Sequence, residues 1–159
     1  MARLAEQGEL VAGAAEALAC AQGEIAQAAA RAREAERLQR KAAEQLSGEL
    51  CAFLAGELAA AQPLGPVVAE LRRPQAFAKG VAAALSARGR TALVAAVDGG
   101  RAWLCFSRPK GPGPSMSALL QEALALLGGK GGGSPEHAQG SGEAARTAEA
   151  LAAARTKAG

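Results

Sequence analysis

The sequence is poor in the side chains that carry out most enzymatic chemistry. Its 159 residues include one histidine, no tyrosine and three cysteines that lie far apart. A zinc hydrolase needs several His or Cys ligands at close spacing, and a Ser-His-Asp triad needs an imidazole beside a nucleophile. The composition therefore argues against a self-contained hydrolase, and the sequence predicts no catalytic residue, no metal and no cofactor.

The chain also lacks the features of a secreted or membrane-spanning protein. Cys20, Cys51 and Cys105 are odd in number and each lies in an apolar stretch, which is typical of buried thiols in a reducing compartment. Residues 1–20 carry charges among the alanines instead of the uninterrupted apolar run of a signal peptide. No window reaches the roughly 18 uncharged apolar residues of a membrane span. We therefore expect a cytoplasmic protein with no disulfide and no membrane partner.

Proline is absent from the first 62 residues, which are rich in strong helix formers. Gln22 and Gly23 predict a break in this segment, because glycine costs about 1 kcal/mol relative to alanine in a helix interior. We therefore expect a coiled-coil-like hairpin of helices near 9–20 and 24–61, through which copies of the chain could self-associate. Apolar residues recur every seven positions, as in a helix that packs along another helix: Leu4, Val11, Leu18 and Ile25.

Pro63 and Pro66 end the helical segment, because proline removes a backbone donor and restricts the residue before it. We predict a helical domain over residues 1–62 and a globular domain over residues 63–159. The predicted elements of the second domain are, in order, strand Val67–Leu71, helix Gln75–Arg88, strand Thr91–Val97, strand Arg101–Ser107, helix Ser115–Leu127, a glycine-rich loop, an extended piece around Ala138–Gln139, and a helix from Glu143 to Lys157.

The turn signals indicate how these strands pair. Asp98-Gly99-Gly100 lies between two apolar runs and is typical of a β-hairpin, so the second and third strands should be antiparallel. The strand–helix–strand steps on either side favour parallel crossovers. The predicted fold class is α+β or mixed α/β, in which the helical hairpin precedes a small mixed sheet flanked by helices. The proline-rich segment Arg108–Pro114 is predicted to be a mobile loop outside the sheet.

Charge is unevenly divided along the chain. Residues 1–62 carry 6 Lys/Arg and 9 Asp/Glu, a net charge of −3, whereas residues 63–159 carry 12 and 6, a net charge of +6. A basic segment is where a polyanionic partner would bind, although many ordinary domains carry as much charge. The second half is therefore the place to look for a nucleic-acid contact.

The run Leu127–Gly142, LGGKGGGSPEHAQGSG, concentrates glycine around Lys130. Glycine loses more backbone entropy on ordering than any other residue, so such a cluster indicates positive φ angles or close approach of another backbone or a ligand. Bare amides also form anion-binding concavities. Neither a P-loop nor a dinucleotide-binding fingerprint is present. On the residues alone, a turned or flexible connection to an edge strand and a phosphate-binding role weigh about equally.

The run resembles the glycine-rich signature of the DHH-associated domain at the C terminus of alanyl-tRNA synthetases and long alanyl-tRNA editing proteins. Two positions depart from that signature: Ser134 stands where arginine is common, and His137 stands where an apolar residue is common. The related domain of DHH phosphoesterases carries a histidine directly after its glycines, whereas His137 follows Gly133 by four positions. The matching positions are Gly128, Gly129, Lys130, Gly131, Gly132, Gly133, Pro135, Glu136, Ala138, Gln139 and Gly142.

The resemblance covers roughly residues 64–157 and implies a module that binds tRNA for alanine at its outer corner. It implies that the chemistry belongs to other domains, those of an aminoacyl-tRNA deacylase or an alanine-tRNA ligase, and that this chain alone is no enzyme. Contacts to backbone phosphates should make binding salt-sensitive and largely shape-driven. The expected RNA-binding residues are Gly128, Gly129, Lys130, Gly131, Gly132, Gly133 and Gln139, with Arg108 and Lys110 of the proline-rich segment.

Three further readings of the residues stay open. The N-terminal helices alone could serve as a dimerisation or assembly module. An accessory domain of a DHH-type phosphoesterase that grips nucleic acid is a second alternative, although the histidine is misplaced for it. Trp103 and Phe106 could stack on bases; alternation along their strand instead predicts that Phe106 and Leu104 face one side of the sheet and that Trp103 and Cys105 face the other.

Overall fold

The structure is a computed structural model that describes the backbone of residues 2–159 and the side chains of residue 22 and residues 24–159. The chain divides into two compact units, Met1–Gln45 and Leu46–Gly159. The last turns of the first helix belong to the second unit, because Cys51 and Ala55 are buried in its core. The domain boundary expected between residues 62 and 63 falls just after the end of that helix. The division into two domains at this point stays a prediction.

Helix α1 runs without interruption from Ala2 to Ala61. The predicted break at Gln22 and Gly23 is therefore wrong, and the N-terminal segment is one long helix rather than a hairpin. A single glycine costs only about 1 kcal/mol in a helix interior, which is too little to end a helix that has no proline and strong helix formers on both sides. Of the heptad-spaced residues, Ile25 is exposed, and the side chains of the other three lie outside the described residues.

A five-stranded sheet with the strand order β1-β2-β3-β5-β4 forms the centre of the second unit. Within the described part of the chain, no helix is both long and apolar enough to cross a bilayer. The elements are β1 Val67–Leu71, α2 Gln75–Ala87, β2 Ala92–Asp98, β3 Arg101–Ser107, α3 Met116–Leu126, β4 Lys130–Gly133, β5 His137–Glu143, a 3-10 turn Ala144–Arg146 and α4 Thr147–Ala158.

The strand pairing confirms part of the predicted topology. Strands β1 and β2 are parallel, and β2 and β3 form an antiparallel hairpin. Gly99 and Gly100 both have positive φ angles at this hairpin turn, as a two-residue type I′ turn requires. The parallel crossover predicted after the hairpin, from the third strand through α3, is wrong, because β5 pairs with β3 in the antiparallel direction. The chain leaving α3 first forms β4 at the far edge of the sheet and then reverses into β5.

Two apolar clusters cover the two faces of the sheet. One face packs against α3 and α4, with Leu104 and Phe106 among its buried residues. The other face packs against α2 and the last turns of α1, and here Cys105 is buried and Trp103 partly buried. The predicted division of β3 between the two faces is confirmed. The mixed α+β architecture follows from this layering, because each face of a sheet needs helices to bury its apolar side chains.

Polar side chains fix the connection between α1 and β1. The Gln62 side-chain amide donates to the carbonyl of Val68 at 2.8 Å, and its Oε1 accepts from the N–H of Val68 at 3.0 Å. Arg90 donates to the carbonyls of Gln62 and Gly65 at 2.6 and 2.9 Å. Gln62 thus makes the pair of hydrogen bonds with β1 that a neighbouring strand would make.

Candidate nucleic-acid interface

The glycine-rich run forms strand β4 and much of β5, so the prediction of a loop there is wrong. A Cβ atom on Gly131 would lie 2.4 Å from the Cα of Gly140 and 2.9 Å from the Cδ1 of Leu124. One on Gly142 would lie 2.5 Å from the Cβ of Leu127. Because β4, β5 and α3 approach each other so closely, these strand positions cannot carry side chains. Close approach of another backbone is one of the explanations that the glycine content of this run left open.

The turn between β4 and β5 determines where the glycine amides point. Ser134 N–H donates to the His137 carbonyl at 2.7 Å, and His137 N–H donates to the Ser134 hydroxyl at 3.1 Å. Hydrogen-bonded pairs alternate along an antiparallel ladder, so the amide of Gly132 bonds β5, whereas the amides of Gly131 and Gly133 point to the outer edge of the sheet. At that edge the Gln121 side chain donates to the Gly131 carbonyl at 2.8 Å. Of the three glycine amides of β4, two therefore point outward.

Lys130, Gly132 and Gln139 lie on the same face of the sheet. In the pairing of β4 with β5, Lys130 is opposite Ser141 and Gly132 is opposite Gln139. On this face, α2 packs on β2 and β3. The residues of β4 and β5 that are not buried there are Lys130, Gly132, His137 and Gln139. The sheet therefore has an uncovered half, which we call the open face: the outward-facing residues of β5 and β4 on the α2 side.

Arg108 is placed differently from Lys110. Arg108 is only 6% exposed, and its guanidinium donates to the carbonyls of Pro135 at 3.1 Å and Gly111 at 2.5 Å. The guanidinium also lies 3.6 Å from the carboxylate of Glu136. Arg108 thus ties the proline-rich segment to the β4–β5 turn, and this geometry favours a structural role. Lys110 is exposed on that segment. RNA contacts by these two residues stay predictions.

A groove of about 300 Å³ lies between α2 and the open face. The Ser107 hydroxyl and Nδ1 of His137 are 2.9 Å apart at this groove. Burial raises the pKa of the Cys105 thiol to about 11, and the nearby Lys79 ammonium acts in the opposite direction. The thiol is therefore neutral near pH 7. The lining includes Lys79, Ala82, Ala83, Cys105, Ser107, Gly132, His137 and Gln139.

Sequence reasoning missed the part that α2 plays at this site. Lys79 lies on a helix far from the glycine-rich run in sequence, and only the strand order brings it to the groove. No local signal marks Lys79, although the alternation of β3 could have placed Ser107 on the face of Cys105.

A second depression of about 480 Å³ adjoins the other end of β4 and includes Arg101 and Lys130 in its lining. Among the described residues, no cluster of three His, Cys, Asp or Glu side chains could hold a metal ion.

The match to a protein-family model lies within the second unit. A family model described as the DHHA1 domain matches residues 67–158. No curated protein sequence matches the chain significantly. Among solved structures, the chain is similar to the C-Ala domain from Aquifex aeolicus alanyl-tRNA synthetase, with 20% sequence identity and a TM-score of 0.53 over 57% of this chain and 87% of that chain. It is also similar to RecJ in complex with Mg²⁺ from Thermus thermophilus, with 22% identity and a TM-score of 0.47 over 74% of this chain and 18% of that chain.

The similarity to the C-Ala domain concerns the fold, because sequence identity is low. The family match is stronger, since it runs from the first residue of β1 to the last residue of α4 and covers more than half of the chain. The resemblance that the glycine-rich run indicates is thereby confirmed. The chain belongs to the DHHA1 domain family.

Proposed function

We propose that this chain is a tRNA-binding accessory module that holds tRNA for alanine and presents it to catalytic domains of an alanyl-tRNA editing protein or alanyl-tRNA synthetase in the cytoplasm. DHHA1 domains are accessory domains without catalytic activity of their own. The observation that carries the proposal is the position of Lys130 on an open sheet face, beside the outer edge of β4, to which the amides of Gly131 and Gly133 point.

Lys130 and the edge amides suit a sugar-phosphate backbone. A lysine that neutralises a phosphate releases condensed counterions, so binding weakens as salt rises. Backbone N–H groups contact phosphates without reading sequence, and RNA helices are recognised mainly by shape. Arg101 and Lys130 line the same depression together with Glu143, so two cations and one carboxylate lie at it. Selectivity for one tRNA then comes from its overall shape and its unpaired regions.

The experiment compares Lys130→Glu with the wild-type chain in binding labelled tRNA for alanine at two salt concentrations. Loss of one phosphate contact should weaken binding several-fold and reduce the slope of log K against log salt by about 1. Arg155→Glu is the matched control, because Arg155 is exposed on α4, on the other face of the sheet. Equal losses for the two variants would indicate only a net-charge effect and would contradict the proposed site.

A second comparison tests the outer corner of the tRNA as the target. The wild-type chain should bind intact tRNA for alanine clearly more tightly than the isolated acceptor-arm minihelix, because the minihelix lacks the corner. Intact tRNA for another amino acid tests specificity in the same titration. Equal affinity for the minihelix and the full tRNA would contradict recognition of the corner.

The last turns of α1 favour a second candidate function, assembly with another copy of this chain. Leu46, Leu50 and Phe53 are 67%, 48% and 66% exposed and lie at i, i+4 and i+7, on one side of the helix. The helix buries Cys51 and Ala55 in its own domain. Light scattering of the wild-type chain and of Phe53→Glu tests this function: a dimer that dissociates in the variant supports it, and a wild-type monomer contradicts it.

A further inference from the structure

Gly132 lacks a structural reason to be glycine. Its neighbours Gly131 and Gly133 cannot carry a Cβ atom, because it would lie 2.4 Å from the Cα of Gly140 and 2.2 Å from the carbonyl oxygen of His137, respectively. A Cβ on Gly132 would meet no atom within 4 Å, and the φ angle of Gly132 does not lie in the left-handed range. Glycine in a strand is unfavourable by roughly 0.5–1 kcal/mol relative to alanine. The fold alone would thus be more stable with alanine at this position.

Gly132 forms part of the groove between α2 and the open face. Ala82 and Ala83 line the α2 side of this groove, and Gln139 is the partner of Gly132 on β5. The volume of about 300 Å³ lies at the lower end of the range for small-molecule sites, roughly 300–1,000 Å³. The groove is thus large enough for one planar ring system, and the bare backbone of Gly132 lets such a ring approach the strand closely.

The polar groups at the groove suit the edge of a nucleobase. Gln139 is exposed and offers a donor and an acceptor, which can pair with the edge of a base. The Ser107 hydroxyl and the His137 imidazole, 2.9 Å apart, provide a second hydrogen-bonding group. The neutral Cys105 thiol and the alanine methyl groups leave the remaining surface apolar, while Lys79 contributes one cation. This combination fits a flat ring that carries a phosphate better than it fits a bare anion.

We infer that this groove binds one unpaired base of the bound RNA, with Gly132 left bare so that the base can lie against β4. The inference rests on the proposed RNA-binding function and adds a recognition element to it. Unpaired bases in loops are the usual targets of specific RNA recognition, because their faces and edges are free. A duplex offers no such base, so the groove distinguishes looped RNA from a continuous helix.

The test measures binding of two RNA stem–loops that differ only in the loop, which is intact in one and abasic in the other. The wild-type chain should prefer the intact loop by about tenfold, as expected for one hydrogen-bonded base edge. Gly132→Ala should lose this preference and retain its affinity for the abasic RNA. Its thermal midpoint should not fall, because the added methyl group meets open space. Gly48→Ala is the matched control, since Gly48 is on α1 and also has no neighbour within 4 Å of a Cβ.

Ala83→Leu fills the same groove from α2 and provides a second variant, because Ala83 is exposed and leucine favours a helix. Loss of the preference in both variants supports the inference, and its retention in both overturns it. If Lys130→Glu weakens all RNA binding while the groove variants behave as wild type, the groove assignment fails and the proposed function stands. If the wild-type chain binds intact tRNA for alanine but neither stem–loop, the groove assignment fails and the proposed function stands; if it binds none of the three RNAs, both fail. Adenosine monophosphate that binds as tightly as the intact stem–loop would overturn the assignment to RNA.

Discussion

Alanine substitutions at Gly131 and Gly132 should change stability in opposite directions. At Gly131 the new methyl group would lie 2.4 Å from the Cα of Gly140 and 2.5 Å from the carbonyl oxygen of Gln139. Both atoms belong to the backbone of β5, so the strands must separate, and overpacking of this kind costs about 1–3 kcal/mol. The gain from restricting the unfolded chain is about 0.4–1 kcal/mol. We expect Gly131→Ala to lower the free energy of unfolding by about 1–2 kcal/mol.

Gly132→Ala restricts the unfolded chain in the same way but brings no atoms into a clash, so the free energy of unfolding should rise by about 0.4–1 kcal/mol. Urea titration provides the assay, with fluorescence from Trp103, the one tryptophan of the chain, which is partly buried beside the core under α2. The dependence of the free energy on urea should be alike in both variants, because they expose the same surface on unfolding. The two adjacent substitutions should differ by about 2 kcal/mol.

A Gly131→Ala variant as stable as the wild-type chain would refute the steric role of this glycine. That result would mean that β4 can move away from β5 and α3 at no cost, as expected of a flexible loop. Destabilisation by Gly132→Ala equal to that by Gly131→Ala would also refute it, because the space beside Gly132 would then be filled. Hydrogen exchange at the amide of Gly132, which faces β5, would show whether the strand pairing persists.

Three further substitutions test other parts of the fold. Arg108→Met should lower the free energy of unfolding by about 1–3 kcal/mol in urea titration, because it leaves the carbonyls of Pro135 and Gly111 and the Glu136 carboxylate without this donor. Burial raises the folded-state pKa of Cys105 from 9.0 to about 11, so the associated stability is complete below pH 9 and is lost as pH rises through 11. Between those pH values the free energy of unfolding should therefore fall by about 2 kcal/mol more in the wild-type chain than in Cys105→Ala. Gln62→Ala should cost about 1–2 kcal/mol in the same assay and speed hydrogen exchange at the amide of Val68.

Local sequence signals predicted the elements whose structure depends on nearby residues. The apolar run Val67–Leu71 forms a strand, and Asp98-Gly99-Gly100 forms the turn of a hairpin, because pattern and turn chemistry agree there. Strand β4 could not be predicted in this way. Glycine has a low strand propensity, and the four residues Lys130–Gly133 form a strand because β5 and α3 pack against them. Tertiary contacts of this kind leave no periodic pattern in the sequence.

The candidate site was predictable only in part, for the same reason. Lys130 and its glycines stand out in the sequence, and the family resemblance gives them a role. The burial of Arg108 was not predictable, because an arginine beside prolines and glycines is usually solvated, whereas here the Pro135 carbonyl of the β4–β5 turn accepts a hydrogen bond from it. Lys79 reaches the groove only through the order of the strands. Distances between elements, rather than residue types, decide these positions.

The two borders of the sheet differ in their openness to other chains. On β1 the Gln62 side chain occupies the hydrogen-bonding groups of Val68, and the exposed acidic residue Glu70 lies nearby. On β4 the outward amides of Gly131 and Gly133 are free of strand partners. Unpaired strand borders are templates for aggregation, but growth into a fibre needs two of them on every molecule. Strand addition at β1 would have to displace the Gln62 side chain from Val68, so addition at β4 favours a closed pair of molecules over an extended fibre.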